Sequence, residues 1–179
     1  MGPMMRIPWK MQLATVAVGY AGVLGIAAVL IVLRYLQYLN HPADAAQYGG
    51  MWAGGDLMLE LFICGMLLAV SFFLVLVIYK SEGAYTIYSK VLLAISVTAP
   101  ASVGLIAIPA VGQGNSVLGY ACLFRVFASP IVLVGLGMSR LFARFPRAKQ
   151  FTNYALLIEI LTLVFMGVML FLPIRLLRG

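Results

Sequence analysis

The feature that most constrains this chain is a series of five apolar runs, each close to the roughly 20 residues that a helix needs to cross a hydrocarbon core. They cover residues 11–33, 57–79, 91–111, 117–139 and 152–174. In lipid, every backbone polar group must be paired inside the protein, so only helices and closed barrels are viable. The runs lack the two-residue alternation of barrel strands. The sequence therefore predicts an all-α fold: a polytopic membrane protein with a bundle of five transmembrane helices.

Composition agrees with a lipid environment. Hydrophobic residues make up 64% of the chain and charged residues only 9%, whereas soluble domains carry roughly a quarter charged residues. A net charge of +7 is also typical of nucleic-acid-binding proteins, but here the basic residues flank the apolar runs. We therefore expect a single integral-membrane domain over residues 1–179, with membrane lipid and no nucleic acid as a partner.

The distribution of basic residues predicts the orientation. With the N-terminus inside, eight basic residues lie in the inner segments and three in the outer ones, and the three outer residues are Arg34, Arg175 and Arg178. This predicts an inside N-terminus and an outside C-terminus, in a cell or inner membrane. Residues 39–56, which contain Pro42 and four glycines, are expected to form an irregular outer loop, and residues 140–151 a basic inner loop.

Three ionisable residues lie inside the predicted spans: Glu60, Arg125 and Glu159. A charge at the bilayer centre costs about 2.5–3.5 kcal/mol on insertion scales, so each needs a partner, a water path or a bound proton. Glu60 and Arg125 lie on spans of the same direction, each near a cysteine of the same helix face, Cys64 and Cys122. We therefore predict that these two spans pack with Glu60 paired to Arg125.

Other partners remain open at this point. Asp56 is a second candidate for Arg125, and Arg34 lies at the edge of the first span. For Glu159, the candidate partners are Arg140, Lys90, or Ser96 with Thr98, and the alternative is a protonated carboxyl that is hydrogen-bonded across helices. Arg125 alone reaching the headgroups is the alternative to any protein partner. A buried Glu–Arg pair is either a structural lock, which fixes how helices dock, or a transport site; the lock is the preferred interpretation.

Small residues and prolines indicate how the helices pack and bend. Small residues at helix-contact spacing let two backbones approach closely, within the bundle or between subunits. Proline removes a helical hydrogen bond and permits a kink, which we expect in the third and fourth spans. The predicted packing residues are Gly19, Gly22, Gly25, Cys64, Gly65, Cys122, Gly135 and Ser139, and the predicted kinks are at Pro100, Pro109 and Pro130.

Motifs for chemistry are missing from the sequence. His41, the single histidine, lies in the predicted outer loop, so no histidine is available inside a span to bind haem or a metal. Neither a phosphate-binding glycine loop nor a Cys-x-x-Cys pair occurs. We therefore expect no catalytic residue, no metal and no cofactor.

Two hypotheses for function follow. The first is a non-catalytic integral-membrane subunit or self-assembling helical bundle, with other membrane subunits or further copies of itself as partners. The alternative is a small oligomeric transporter or channel with a polar path through Glu60, Arg125 and Glu159. An enzyme is the least favoured class.

Overall fold

The computed structural model describes residues 8–109 and 117–176. Within these ranges the secondary structure is helical, without strands. The six helices of the described ranges are α1 Trp9–Asn40, α2 Pro42–Gln47, α3 Gly49–Ile78, α4 Glu82–Ile106, α5 Val117–Phe142 and α6 Pro146–Leu176. Five of them are long and apolar enough to cross a membrane, and only the short α2 is not. The prediction of an all-α, five-span membrane fold is thereby confirmed.

The connections are more helical than the sequence indicated. The predicted irregular loop at 39–56 is wrong, because α1 continues to Asn40, α2 occupies Pro42–Gln47 and α3 begins at Gly49. Pro42 stands at the first position of α2, where its fixed φ favours a helix start. Glycine weakens a helix by about 1 kcal/mol relative to alanine, but a long apolar helix held by neighbours tolerates that cost.

The predicted basic loop at 140–151 is also mostly helical. α5 ends at Phe142 and α6 begins at Pro146, so only residues 143–145 lie between them. α4 begins at Glu82, nine residues before its predicted start, because a polar interfacial segment can continue a helix beyond the hydrocarbon core. Pro109 lies beyond the end of α4 at Ile106 and so does not interrupt that helix.

Pro100 and Pro130 do lie inside helices, in α4 and α5 respectively. The bending of these helices stays a prediction. Residues 110–111, which end the predicted third span, lie outside the described residues.

The chain divides into two compact units, Met1–Val77 and Ile78–Gly179, and the single-domain prediction stays untested. In the first unit, α1 and α3 meet along Gly19, where an added Cβ would lie 3.4 Å from Cγ1 of Val70. At the next residue of each helix, the hydroxyls of Tyr20 and Ser71 are 2.8 Å apart and form a hydrogen bond. Thr15 is one of the residues that line an apolar groove beside this contact.

The second unit is a three-helix bundle in which α4, α5 and α6 each contact the other two. Its interior is built from small and hydroxyl-bearing residues with few large apolar ones. Small residues allow close approach of helix backbones. The side chains with at most 1% exposure are Tyr85, Ser89, Ser96, Ala99, Ser129, Leu136, Ser139, Ala148, Thr152, Ala155 and Glu159.

The buried hydroxyls of this interior return their hydrogen bonds to their own helices. Ser89 Oγ donates to the Tyr85 carbonyl at 2.9 Å, and Thr152 Oγ1 donates to the Ala148 carbonyl at 2.9 Å. The same i to i−4 pattern recurs at Ser96. Such back-bonding satisfies the hydroxyl without needing a partner on another helix. These serines and threonines therefore act as small packing residues.

Candidate functional site

The most deeply placed charges of the second unit are Arg125 on α5 and Glu159 on α6. Arg125 is seven residues after Leu118, where the apolar span of α5 begins, or about 10 Å along the helix axis. Glu159 is thirteen residues after Pro146 and seventeen before Leu176, the two ends of α6. Its shorter distance to an end is about 20 Å. Both charged groups therefore lie well inside apolar helices.

The Arg125 guanidinium bonds to groups from all three helices of the bundle. Nε donates to Thr98 Oγ1 of α4 at 2.7 Å, and Nη1 donates to Ser129 Oγ of α5 at 3.1 Å. Nη2 donates to the Ile95 carbonyl of α4 at 3.0 Å and to Oε1 of Glu159 on α6. We call this set the Arg125 site. Four of the five N–H donors of the guanidinium are used by these bonds.

Burial makes the ion pair between Arg125 and Glu159 costly to break. The Glu159 side chain is 0% exposed and that of Arg125 only 15%, so neither has bulk water as an alternative partner. Glu159 Oε2 is buried without a hydrogen-bond partner among the described residues. The carboxylate thus depends on Arg125, because a buried unpaired charge is far less favourable than a paired one.

The predicted partner of Arg125 was wrong. The sequence argument assigned Glu60, but the structure pairs the guanidinium with Glu159. α5 and α6 are joined by only residues 143–145, so they are antiparallel neighbours. Arg125 is 17 residues before the end of α5, and Glu159 is 13 residues after the start of α6. The difference of four residues is about 6 Å along the axis, which two long side chains can span.

Three further members of the Arg125 site, Ser129, Thr98 and the Ile95 carbonyl, were not assigned to it from sequence. Ser129 is four residues after Arg125 and therefore on the same helix face, a spacing that would have identified it. Thr98 and the Ile95 carbonyl depend on how α4 is rotated against α5, which the sequence does not specify. Thr98 Oγ1 also donates to the Ile95 carbonyl at 2.6 Å, so the two acceptors are held together.

Arg34 and Asp56, both predicted as possible partners, instead pair with each other in the first unit. Arg34 Nε donates to Asp56 Oδ1 at 2.6 Å, and Nη2 donates to the Trp52 carbonyl at 2.7 Å. The Tyr38 hydroxyl donates to Asp56 Oδ2 at 2.5 Å. The guanidinium carbon lies 4.4 Å from the Trp52 ring centroid, a cation–π distance. We call these four residues the Arg34 cluster; it joins α1 to the start of α3.

We expect Asp56→Ala to lower the free energy of unfolding by about 1 kcal/mol, because it removes one ion pair and one hydrogen bond that are partly exposed. The Asp56 side chain is 42% exposed, which limits the loss. Denaturant-induced unfolding in mixed micelles measures it. Asp44 forms an exposed pair with His41 and provides the control, since Asp44→Ala should change the stability by less than about 0.5 kcal/mol. Equal effects of the two variants would contradict the importance of the Arg34 cluster.

Arg140, one of the candidate partners predicted for Glu159, bonds elsewhere. Its Nε donates to Asn153 Oδ1 at 2.5 Å, which joins the end of α5 to the start of α6. At the same end of the bundle, the Tyr85 hydroxyl donates to the Ser139 carbonyl, and the Lys90 ammonium lies 5.7 Å from the Phe151 ring centroid. These contacts tie the three helices together near their ends.

The predicted packing residues divide into two groups. Cys64, Cys122 and Ser139 are buried, and the two cysteines are not joined in a disulfide. Gly135 accepts a hydrogen bond from Ser139 Oγ at 2.8 Å. Gly19 lies at a helix contact. In contrast, an added Cβ would have no described heavy atom within 4 Å at Gly22, Gly25 and Gly65. Close packing of these three glycines against another subunit stays a prediction.

Glu60 is the remaining predicted intramembrane charge. It lies on α3, is 5% exposed and forms no ion pair with any described residue. Its Oε1 atom is buried without a hydrogen-bond partner among those residues. In this respect it differs from Glu159, whose other oxygen is bonded to Arg125.

The arrangement defines a class: a helical membrane-embedded protein whose intramembrane charges are mostly paired within each unit. No protein-family model matches this chain, and neither a curated protein nor a solved structure does. Among the described residues, no group of three or more His, Cys, Asp or Glu side chains comes together. The contacts of the charged groups in the described part of the chain are ion pairs, hydrogen bonds and cation–π contacts.

Proposed function

We propose that this chain is a non-catalytic integral-membrane subunit or self-assembling helical bundle. The observation that carries the proposal is the Arg125 site, in which one guanidinium bonds to groups from α4, α5 and α6. Such a set of contacts fixes how the three helices dock and leaves a single N–H donor for any ligand. Arg125 and Glu159 also neutralise each other, which suits a structural lock better than a site that binds and releases a charged substrate.

The apolar outer surface of the helices is suited to contact with lipid or with another membrane subunit. Large apolar side chains are exposed on every long helix, including Leu24 on α1, Phe73 on α3, Val97 on α4, Phe127 on α5 and Phe165 on α6. The space beside Gly22, Gly25 and Gly65 suits close approach of another membrane helix. The partners are membrane lipid together with other membrane subunits or further copies of this chain.

The mass and composition of the particle, extracted gently from its native membrane, test this proposal. We expect a particle with a fixed number of subunits, either several copies of this chain or this chain with other membrane proteins. Native mass spectrometry gives both the mass and the stoichiometry. The same measurement after harsh detergent treatment provides the control for lipid and detergent mass. A stable monomer in the gentle extract would contradict the proposal.

Orientation is part of the proposal. The excess of basic residues in the connections assigned to the inner side supports an inside N-terminus and an outside C-terminus, in a cell or inner membrane. Reporter fusions at the two ends, and at Tyr48 between α2 and α3, would establish on which side each lies. Activity of an inside reporter at Tyr48 would overturn the orientation.

The alternative, a transporter or channel, is favoured over the structural subunit by one described residue only, Glu60. Arg125 and Glu159 are paired with each other, so a polar path that uses them as free charges is not supported by their contacts. Glu60, which is buried without such a partner, is the observation that favours transport. A purified, reconstituted chain that carries an ionic current sensitive to Glu60→Gln would establish this alternative.

A further inference from the structure

Glu60 has a buried carboxyl in an apolar helix without a matching cation. It lies eleven residues after Gly49 and eighteen before Ile78, the ends of α3. Leu57, Met58 and Leu61 flank it in the sequence. The side chain is 5% exposed, and Oε1 is without a hydrogen-bond partner among the described residues. An ionised carboxylate in this position would be strongly unfavourable, because neither water nor a counter-charge compensates it.

Arg34, the cation of the first unit that bonds one helical turn before Glu60, already has other partners. Arg34 uses Nε for Asp56, Nη1 for Gln37 and Nη2 for the Trp52 carbonyl. Asp56, one helical turn before Glu60, accepts hydrogen bonds from both Arg34 and Tyr38. Neutralisation of Glu60 by Arg34 would therefore require the Arg34 cluster to break.

Three occupants would neutralise the carboxyl: a basic side chain from a partner, a metal cation or a proton. A basic side chain needs access, and a carboxyl that is 5% exposed gives it little. Hard metal cations take about six or more oxygen ligands, whereas the described residues bring no group of three or more candidate ligand side chains together. A proton needs only one oxygen lone pair and no open path as wide as a side chain.

We propose that Glu60 is a proton-binding site within the membrane, which holds its carboxyl as the neutral acid. The inference is independent of the proposed assembly function, since a subunit or a transporter can carry such a site. It also assigns different states to the two buried glutamates: Glu60 holds a proton, whereas Glu159 is the ionised partner of Arg125.

Infrared spectroscopy of the whole chain in lipid nanodiscs at neutral pH tests the proposal. A protonated carboxyl gives a carbonyl-stretching band that an ionised carboxylate lacks, and the band shifts when deuterium oxide replaces water. We expect this band in the wild-type protein and its loss in Glu60→Gln, which retains the shape of a neutral side chain. Glu82→Gln, at an exposed position at the start of α4, provides the matched control and should leave the band unchanged.

A hydrophobic carbodiimide provides a second measurement that needs no variant. A protonated carboxyl adds across the reagent: its oxygen bonds to the central carbon, and its proton moves to a nitrogen. No atom is lost, so the modified peptide gains the full mass of one reagent molecule. Unlike a basic side chain, which would have to stay beside the carboxyl, the reagent needs contact only during brief openings of the helix packing. We therefore expect slow addition of this mass to the peptide that contains Glu60, and none to Glu159 or Asp56, whose carboxylates are paired.

The two measurements have distinct outcomes. The infrared band together with modification of Glu60 supports the proton site. Absence of the band from the wild-type spectrum overturns it, as does a band that persists in a folded Glu60→Gln variant. Loss of the band on adding sodium chloride, but not on adding choline chloride, overturns a proton-specific site and assigns a metal cation to Glu60.

Discussion

Arg125→Leu is expected to lower the free energy of unfolding by about 3–5 kcal/mol, the cost of removing one partner from a buried ion pair. Glu159 would remain fully buried with neither of its oxygens bonded to a cation. Thr98 and Ser129 would also lose the donor that they share. The loss is measured by unfolding in mixed micelles, and we expect most of the variant to be unfolded or degraded in the membrane.

The double variant Arg125→Leu with Glu159→Leu tests whether the ion pair is only a structural lock or whether the protein needs the two charges themselves. Replacing both members of a buried pair with apolar residues is often neutral or stabilising, so we expect the double variant to regain most of the stability. Arg140→Leu, which removes the cation that is hydrogen-bonded to Asn153, is the control and should cost about 1 kcal/mol. A single Arg125→Leu variant as stable as the wild type would show that Glu159 does not depend on Arg125.

The number of membrane helices could be predicted from the sequence because the apolar runs have the length that a bilayer requires. The ends of the helices could not. Hydropathy marks where the hydrocarbon core ends, whereas a helix continues for as long as its backbone hydrogen bonds are favourable. α4 therefore begins at Glu82, within a polar segment, and α3 begins at Gly49, among glycines that were interpreted as a loop.

The positions of the intramembrane charges were also predictable, but their pairing was not. Glu60, Arg125 and Glu159 stand out in any apolar run. Depth along each helix is compatible with several partners, because it does not specify which helices are neighbours or how they are rotated. The short turn at 143–145 contains the missing information, since it makes α5 and α6 antiparallel neighbours and brings Glu159 within reach of Arg125.

The packing residues of the second unit show why glycine spacing is an incomplete guide. Serine and alanine are small enough to allow close helix contact, and a serine hydroxyl that bonds to its own helix adds no unpaired polar group. Ser89, Ser96 and Ala155 therefore do in this bundle what was expected of glycines. Gly22 and Gly25 on α1 instead have open space around them.

Ala155→Leu should be the most harmful of the simple packing changes, lowering the free energy of unfolding by about 1–3 kcal/mol through overpacking. Ala155 is 0% exposed and lies on the inner face of α6 between Thr152 and Glu159, three and four residues away. A larger side chain there would push α6 away from its neighbours. The same displacement would stretch the bond between Glu159 and Arg125, so the packing defect would also weaken the lock.

Ala94→Leu is the matched control, because Ala94 is an exposed position on α4 where the same added volume meets no packed helix. It should change the stability by less than about 0.5 kcal/mol, in the same mixed-micelle unfolding assay. Because the overpacking acts partly through Glu159, Ala155→Leu should be less harmful in the background of the Arg125→Leu, Glu159→Leu double variant than in the wild type. Fully additive effects would mean that the helix spacing at Ala155 and the geometry of the ion pair are independent.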